Sequence, residues 1–276
     1  MNDETKTTLI LGGTGKTGRR VARRLLDRGL PVRVASRSST PRFDWRDPTT
    51  WRPVMKDVQA MYLAYHPDLA APGAPEALRE VARVAVESGV RRIVLLSGRG
   101  EPQAEVSEQA VRESGAALTV LRSAWFSQNF SEGELKSSVL GGELVLPGPG
   151  DAVEPFIDVE DIADVAVAAL SNDAHIGATW ELTGPRLVSL DEVAAELTSI
   201  TGRPVRYTQV STEDFTAGLR HAMPADYASF LGELFTFLLD GHNAHVSDDV
   251  ERILGRRPRD FRDFVRDAAR AGAWTH

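Results

Sequence analysis

Three glycines at a spacing of three, Gly12, Gly15 and Gly18, follow the apolar run Thr8-Leu9-Ile10-Leu11. They precede Arg19–Asp27, where Val21, Ala22, Leu25 and Leu26 recur at helical spacing. Strand, glycine turn and helix in that order make a phosphate cradle. One glycine permits the turn, one lets backbone approach a pyrophosphate, and one lets helix pack on strand, with the helix N-terminus toward the anion. No Gly-Lys-Ser/Thr follows at the spacing of a nucleoside-triphosphate loop, so the expected ligand is a dinucleotide. The bland alternative is a glycine turn that merely packs.

The end of the second strand bears on which dinucleotide. An acidic residue there binds a ribose 2′-hydroxyl, whereas arginine accommodates a 2′-phosphate. Here Pro31–Ala35 runs into Ser36-Arg37-Ser38, and Arg37 with a neighbouring serine can hold a phosphate by charge-assisted hydrogen bonds. The expected cofactor is therefore NADP(H) in preference to NAD(H). Arg37 could instead be a solvated charge stacked on adenine. Asp44, shortly beyond, could accept the adenine amino group or simply build a turn.

These residues need a scaffold, and the chain supplies an alternation of strands and helices. Strands are expected at Ala60–Ala64, Arg92–Leu96 and Leu118–Leu121, and helices at Pro75–Ser88 and Ala104–Glu113. That order implies an α/β fold, a Rossmann-type doubly wound parallel sheet with a smaller C-terminal α+β substrate domain. Residues 1–123 would form the dinucleotide-binding domain, with 155–184 contributing to its sheet; 124–154 and 185–276 would form the smaller region, a lid over the sheet's carboxyl edge. Within it, Val139–Leu146 reads as a hairpin or strand, Asp158–Leu170 as a helix with Asp158 and Asp161 at its start, and Ser189–Ile200 as a helix with Glu192 three residues after its serine cap. The stretch 212–270 reads as mostly helical, and its arginines, interleaved with aspartates, as a solvated face.

Composition narrows the function classes. The chain has 276 residues, 42% of them hydrophobic, enough for a sizeable core. A net charge of −7 argues against nucleic acid or an anionic membrane as partner. The absence of cysteine removes disulfides and thiolate metal sites, and the cytoplasm is the expected location. His242 and His245 lack supporting ligands, so no metal is expected.

The run from Ile10 to Trp45, ILGGTGKTGRRVARRLLDRGLPVRVASRSSTPRFDW, resembles the NmrA-like group of atypical short-chain dehydrogenases/reductases, in particular its ergot-alkaloid reductase branch, the agroclavine and festuclavine dehydrogenases. The resemblance continues through GVRRIVLLSG (89–98), VLRSAWFSQNF (120–130), PFIDVEDIADVA (155–166), ELTGP (181–185) and GRRPRDFRDF (255–264). It implies that Gly12, Thr14, Gly15, Lys16, Thr17 and Gly18 hold pyrophosphate, that Arg37 holds the 2′-phosphate, and that Ser97 lies near the nicotinamide. Trp125, Phe126 and Asn129 would line the acceptor pocket. The group includes reductases of quinones, iminium ions and aryl substrates, and also silent redox sensors that regulate a protein partner.

One departure shapes the expected chemistry. Ordinary short-chain dehydrogenases use Tyr-x-x-x-Lys, but Tyr62, Tyr65, Tyr207 and Tyr227 are followed four residues on by His66, Leu69, Ser211 and Leu231. Where many members of the group keep a lysine on the helix, this chain has Ala104. Without that acid, a ketone's alkoxide is poorly served. An iminium ion needs no proton, and a quinone leaves a stabilised phenolate. The expected substrate is therefore an aromatic or conjugated planar small molecule, with Tyr65 and His66 as fallback acids; either could equally be a plain loop residue. Arg37→Ala should weaken NADPH binding by ~1.5–3 kcal/mol, the size of one charge-assisted contact, with little change for NADH. Fluorescence titration checks this, and equal losses for both cofactors would refute the assignment.

Overall fold

A computed structural model describes residues 7–133 and 135–275, which form two compact units. The first is assembled from three stretches, reaching residue 123 and then taking in 159–182 and 249–256. Numbered along the whole chain, it contains strands β1 (Thr7–Leu11), β2 (Val32–Ala35), β3 (Val58–Leu63), β4 (Arg92–Gly98), β5 (Ala117–Ser123) and β8 (Thr179–Leu182). Its helices are α1 (Gly18–Asp27), α2 (Trp51–Met55), α3 (Ala74–Glu87), α4 (Pro102–Arg112), α7 (Val159–Ser171) and α11 (Asp249–Leu254).

The strands lie in the order β2-β1-β3-β4-β5-β8, every pair parallel. Leu9, Ile10 and Leu11 of β1, Met61, Tyr62 and Leu63 of β3, and Ile93, Val94 and Leu95 of β4 are all fully buried. Continuous apolar runs of this kind belong to a parallel sheet covered on both faces. Because the strands are parallel, the loops that leave them gather at one edge. The order reverses between β1 and β3, and the crevice at such a reversal is where open α/β sheets bind ligands.

Helix α1 carries Arg20 and Arg24 to α7, where they meet Glu160 at 2.5 Å each and Arg24 also meets Asp164 at 2.6 Å. Asp161, expected as a helix-start residue, has no exposed surface and pairs with Arg256 at 2.7 Å. The segment 249–256, assigned from sequence to the smaller region, belongs to the first unit. Val250 is buried, and the Asp249 carboxylate accepts the Glu181 backbone N–H of β8 at 2.9 Å. The arginines here are accordingly not all solvated: Arg256 bridges Asp161 and Asp164, and Arg252 lies 5.4 Å over the Trp180 ring.

The second unit comprises 124–158, 183–248 and 257–276. It contains α5 (Asn129–Glu132), α6 (Lys136–Gly141), β6 (Glu143–Leu146), β7 (Val153–Glu154), β9 (Val188–Ser189), α8 (Leu190–Thr201), β10 (Arg206–Gln209), α9 (Thr212–Leu219), α10 (Ala225–Leu238) and α12 (Phe261–Arg270). Strands β6 and β10 pair in parallel, and β7 and β9 antiparallel. The core gathers Phe130, Phe156 and Phe261 with Leu144, Leu146, Val193 and Leu197. The stretch expected as a hairpin or strand at Val139–Leu146 splits: α6 is capped by Gly142, which takes a φ of 79°, and Glu143–Leu146 is a strand.

Helix α8 begins with the expected reciprocal cap. The Ser189 hydroxyl accepts the Glu192 N–H at 3.1 Å, and the Glu192 carboxylate accepts the Ser189 N–H at 2.9 Å. Ser189→Ala should cost ~1 kcal/mol of stability through the lost cap. Urea unfolding checks this; an unchanged midpoint would show that the cap contributes nothing.

Candidate cofactor site

Gly12 starts the loop after β1 in the left-handed region, at φ 75°, and its carbonyl accepts the Gly15 N–H at 2.9 Å. The space around these glycines is filled by backbone. A Cβ on Gly18 would stand 2.3 Å from the Gly12 carbonyl oxygen, and one on Gly12 would stand 2.8 Å from the Ala64 carbonyl at the end of β3. Side chains at these positions would push α1 off the strand or separate the loop from β3. At Gly15, by contrast, the nearest atom lies 3.2 Å away, so a bare backbone surface remains at the turn.

The first turn of α1 contains no acidic residue, and Arg20 donates to the Lys16 carbonyl at 2.8 Å. A helix N-terminus so arranged, with Thr14, Lys16 and Thr17 on the loop before it, fits a pyrophosphate. Beneath the loop, Tyr62 is fully buried and burial pushes its phenol up, so it stays neutral.

The loop after β2 is folded on its own serines. Ser36 N–H donates to the Ser39 hydroxyl at 2.9 Å, and Ser38 N–H to the Ser36 hydroxyl at 3.2 Å. Arg37 is exposed and makes no hydrogen-bonded ion pair among the described residues. Asp44 is committed locally. Its carboxylate accepts the Arg46 N–H at 3.0 Å and meets Arg42 at 2.5 Å, and these contacts, with Arg37 nearby, hold it below the usual carboxylate range. This is the geometry of a turn residue.

Past Asp44 an aromatic group ties the loop to β3. Phe43 lies 5.0 Å from Trp45, and Trp45 lies 4.7 Å from Tyr65, while Trp51 donates from its indole to the Asp44 carbonyl at 2.8 Å. Tyr65 is thereby half-buried, and burial raises its pKa, which makes it a weaker acid. His66 is exposed.

Ser97, on β4, is buried and donates to Glu108 of α4 at 2.6 Å. Glu108, 2% exposed, also receives Arg122 of β5 in a two-pronged pair, at 2.9 and 2.8 Å. Ala104 is fully buried on the same helix. Two further acids at this edge were not singled out from sequence. Asp68 follows β3, Glu101 follows β4, and their carboxyls share a hydrogen bond. The available signal was position: each lies within five residues of a strand's carboxyl end.

Trp125, Phe126 and Asn129 belong to the second unit. Trp125 packs 5.4 Å from Phe156 and 5.2 Å from Phe235, Phe126 forms a bridge to Ile157, and Asn129 opens α5. His242 lies 2.5 Å from Asp240, and no group of three potential metal ligands occurs among the described residues. No helix among them is long and apolar enough to cross a membrane.

Agroclavine dehydrogenase of Claviceps fusiformis is 34% identical over 95% of this chain and 96% of its own. The uncharacterized oxidoreductase YesF of Bacillus subtilis is 32% identical over 97% and 96% respectively. The fold matches that of the NADPH-dependent quinone oxidoreductase QOR2 from Escherichia coli with a TM-score of 0.78, at 22% identity, over 94% of this chain and 98% of that one. An NAD(P)H-binding family model matches residues 12–173 and the NmrA-like model residues 102–264, so this chain is an NAD(P)H-binding member of the NmrA-like family.

Proposed function

We propose that this chain is an NADPH-dependent reductase that passes hydride to a planar, conjugated small molecule such as a quinone or an iminium ion, in secondary-metabolite biosynthesis or detoxification. The observation that carries the cofactor choice is Arg37. It stands at the end of β2 with no hydrogen-bonded acid, because Arg42 rather than Arg37 takes the Asp44 carboxylate. Gly12, Thr14, Gly15, Lys16, Thr17 and Gly18 would hold the pyrophosphate, Ser36 and Arg37 the 2′-phosphate, and Ser97 would stand toward the nicotinamide. Asp44 would shape the adenine side through its turn. Reduced nicotinamide, when bound, supplies hydride.

The substrate class follows from what α4 lacks. Ala104 is buried where a lysine would serve a tyrosine, and Tyr65 is a weakened acid, so neither provides for a strongly basic alkoxide. Acceptors whose reduction leaves a neutral amine or a stabilised phenolate suit such a site. The agroclavine dehydrogenase relative is named for a substrate of the alkaloid class, which supports the same reading.

Steady-state turnover with NADPH on a para-quinone, a cyclic iminium ion and an aliphatic ketone tests the proposal. The first two should exceed the ketone at least tenfold. A ketone reduced as fast would refute the substrate class. Tight NADPH binding without turnover of any acceptor would replace the reductase with a redox sensor.

A further inference from the structure

The carboxyls of Asp68 and Glu101 lie on adjacent loops at the carboxyl edge of the sheet, after β3 and β4. Glu101 is 7% exposed and Asp68 is half-buried. Glu101 folds back over the end of its own strand: a Cβ on Gly98 would stand 2.1 Å from Oε1 and 2.8 Å from Oε2. Only glycine leaves room for the carboxyl there. Asp68 is held from the other side, where its Oδ1 accepts the Ala70 N–H at 2.7 Å, and the same loop is pinned to α4 by Ser107, which donates to the Leu69 carbonyl at 2.7 Å.

Glu101 Oε2 is buried and has no hydrogen-bond partner among the described residues.

Among the described residues, no cation is a cause of the pair's shifted pKa values. Arg99, beside Glu101, takes Glu181 at 3.1 Å, and Arg122 takes Glu105 at 3.1 Å and Glu108 at 2.8 Å. His66 at the end of β3 is exposed, and Tyr65 next to it faces Arg46 and Glu76. Two carboxyls in contact, one of them buried, resist ionising together. Burial and the Asp68 charge push Glu101 up to about 8, and burial raises Asp68 as well, so Glu101 is the member of the pair that keeps the proton.

We propose that Glu101 is the proton donor of this reductase, with Asp68 as the positioning residue that keeps it protonated near neutral pH. The inference rests on the reductase reading above. A quinone gains a hydride from the reduced nicotinamide, which is oxidised, and its anionic oxygen takes the proton of Glu101. The Glu101 carboxylate then recovers a proton from solvent. A carboxylic acid near neutrality is matched to a phenolate. An iminium acceptor takes hydride alone and makes no use of the pair.

The test has an optical arm and a kinetic arm. Infrared spectra of the protein at pH 7 should show the carbonyl stretch of a protonated carboxyl that Glu101→Gln removes. In the wild type, single-turnover reduction of the quinone should slow as pH rises through about 8, while reduction of an iminium ion should not. Glu101→Gln should lower the quinone-to-iminium rate ratio at least tenfold and abolish that break. Should Glu101→Gln fold poorly, Asp68→Asn provides the second variant: with the like charge gone, the break should move to lower pH. An unchanged pH profile in both variants, or no protonated-carboxyl band in the wild type, overturns the proposal. A wild type that reduces neither acceptor refutes the reductase reading, and the infrared band then decides on the proton pair by itself.

Discussion

The first unit depends on how closely α1 approaches the end of β1. With no side chain at Gly18, the helix starts directly on the Gly12 carbonyl; a single Cβ would collide at 2.3 Å. That proximity fixes where the N-terminus of the helix points, and so where an anion can sit. It also fixes the register of α1, which brings Arg20 and Arg24 onto Glu160 and Asp164 of α7. The cradle and the helix–helix seam are two ends of one constraint.

Around that constraint, buried charge is admitted only in company. Glu108 sits almost fully enclosed because Arg122 meets it with two nitrogens and Ser97 adds a third hydrogen bond. Asp161 is enclosed against Arg256. Ionised groups out of water need such partners, since desolvation otherwise outweighs what they gain. Glu101, beside Asp68, follows the other available rule, in which burial and a like charge raise an acid's pKa.

What could be read in advance follows the range of the interactions involved. The glycine turn, the apolar strands and the Ser189–Glu192 cap are local patterns, written within a few residues, and the structure shows a parallel sheet and a cap of that kind. Features that rest on distant partners were not legible. Asp161 looks like an ordinary helix-start acid until Arg256, 95 positions later, is placed beside it. Segment 249–256 has the charge pattern of a surface helix, but Asp249 caps a backbone N–H of β8. Strand β10 is four residues long, Arg206-Tyr207-Thr208-Gln209, with no apolar alternation, and its pairing with β6 is what makes it a strand. At the cofactor edge, the glycines and Arg37 stand out by type, whereas Asp68 and Glu101 matter through a meeting that no spacing rule encodes.

Because three separated stretches build the first unit, it has no contiguous gene fragment. A chain cut after residue 123 would keep the glycine loop and five of the six strands, yet lose β8, α7 and α11. Strand β5 would then become an open edge, presenting Val120 and Leu121 and a row of unpaired backbone groups to other chains. Attempts to graft or shorten this scaffold must carry the later stretches along, joined by new linkers, or they will yield a self-associating fragment in place of a domain.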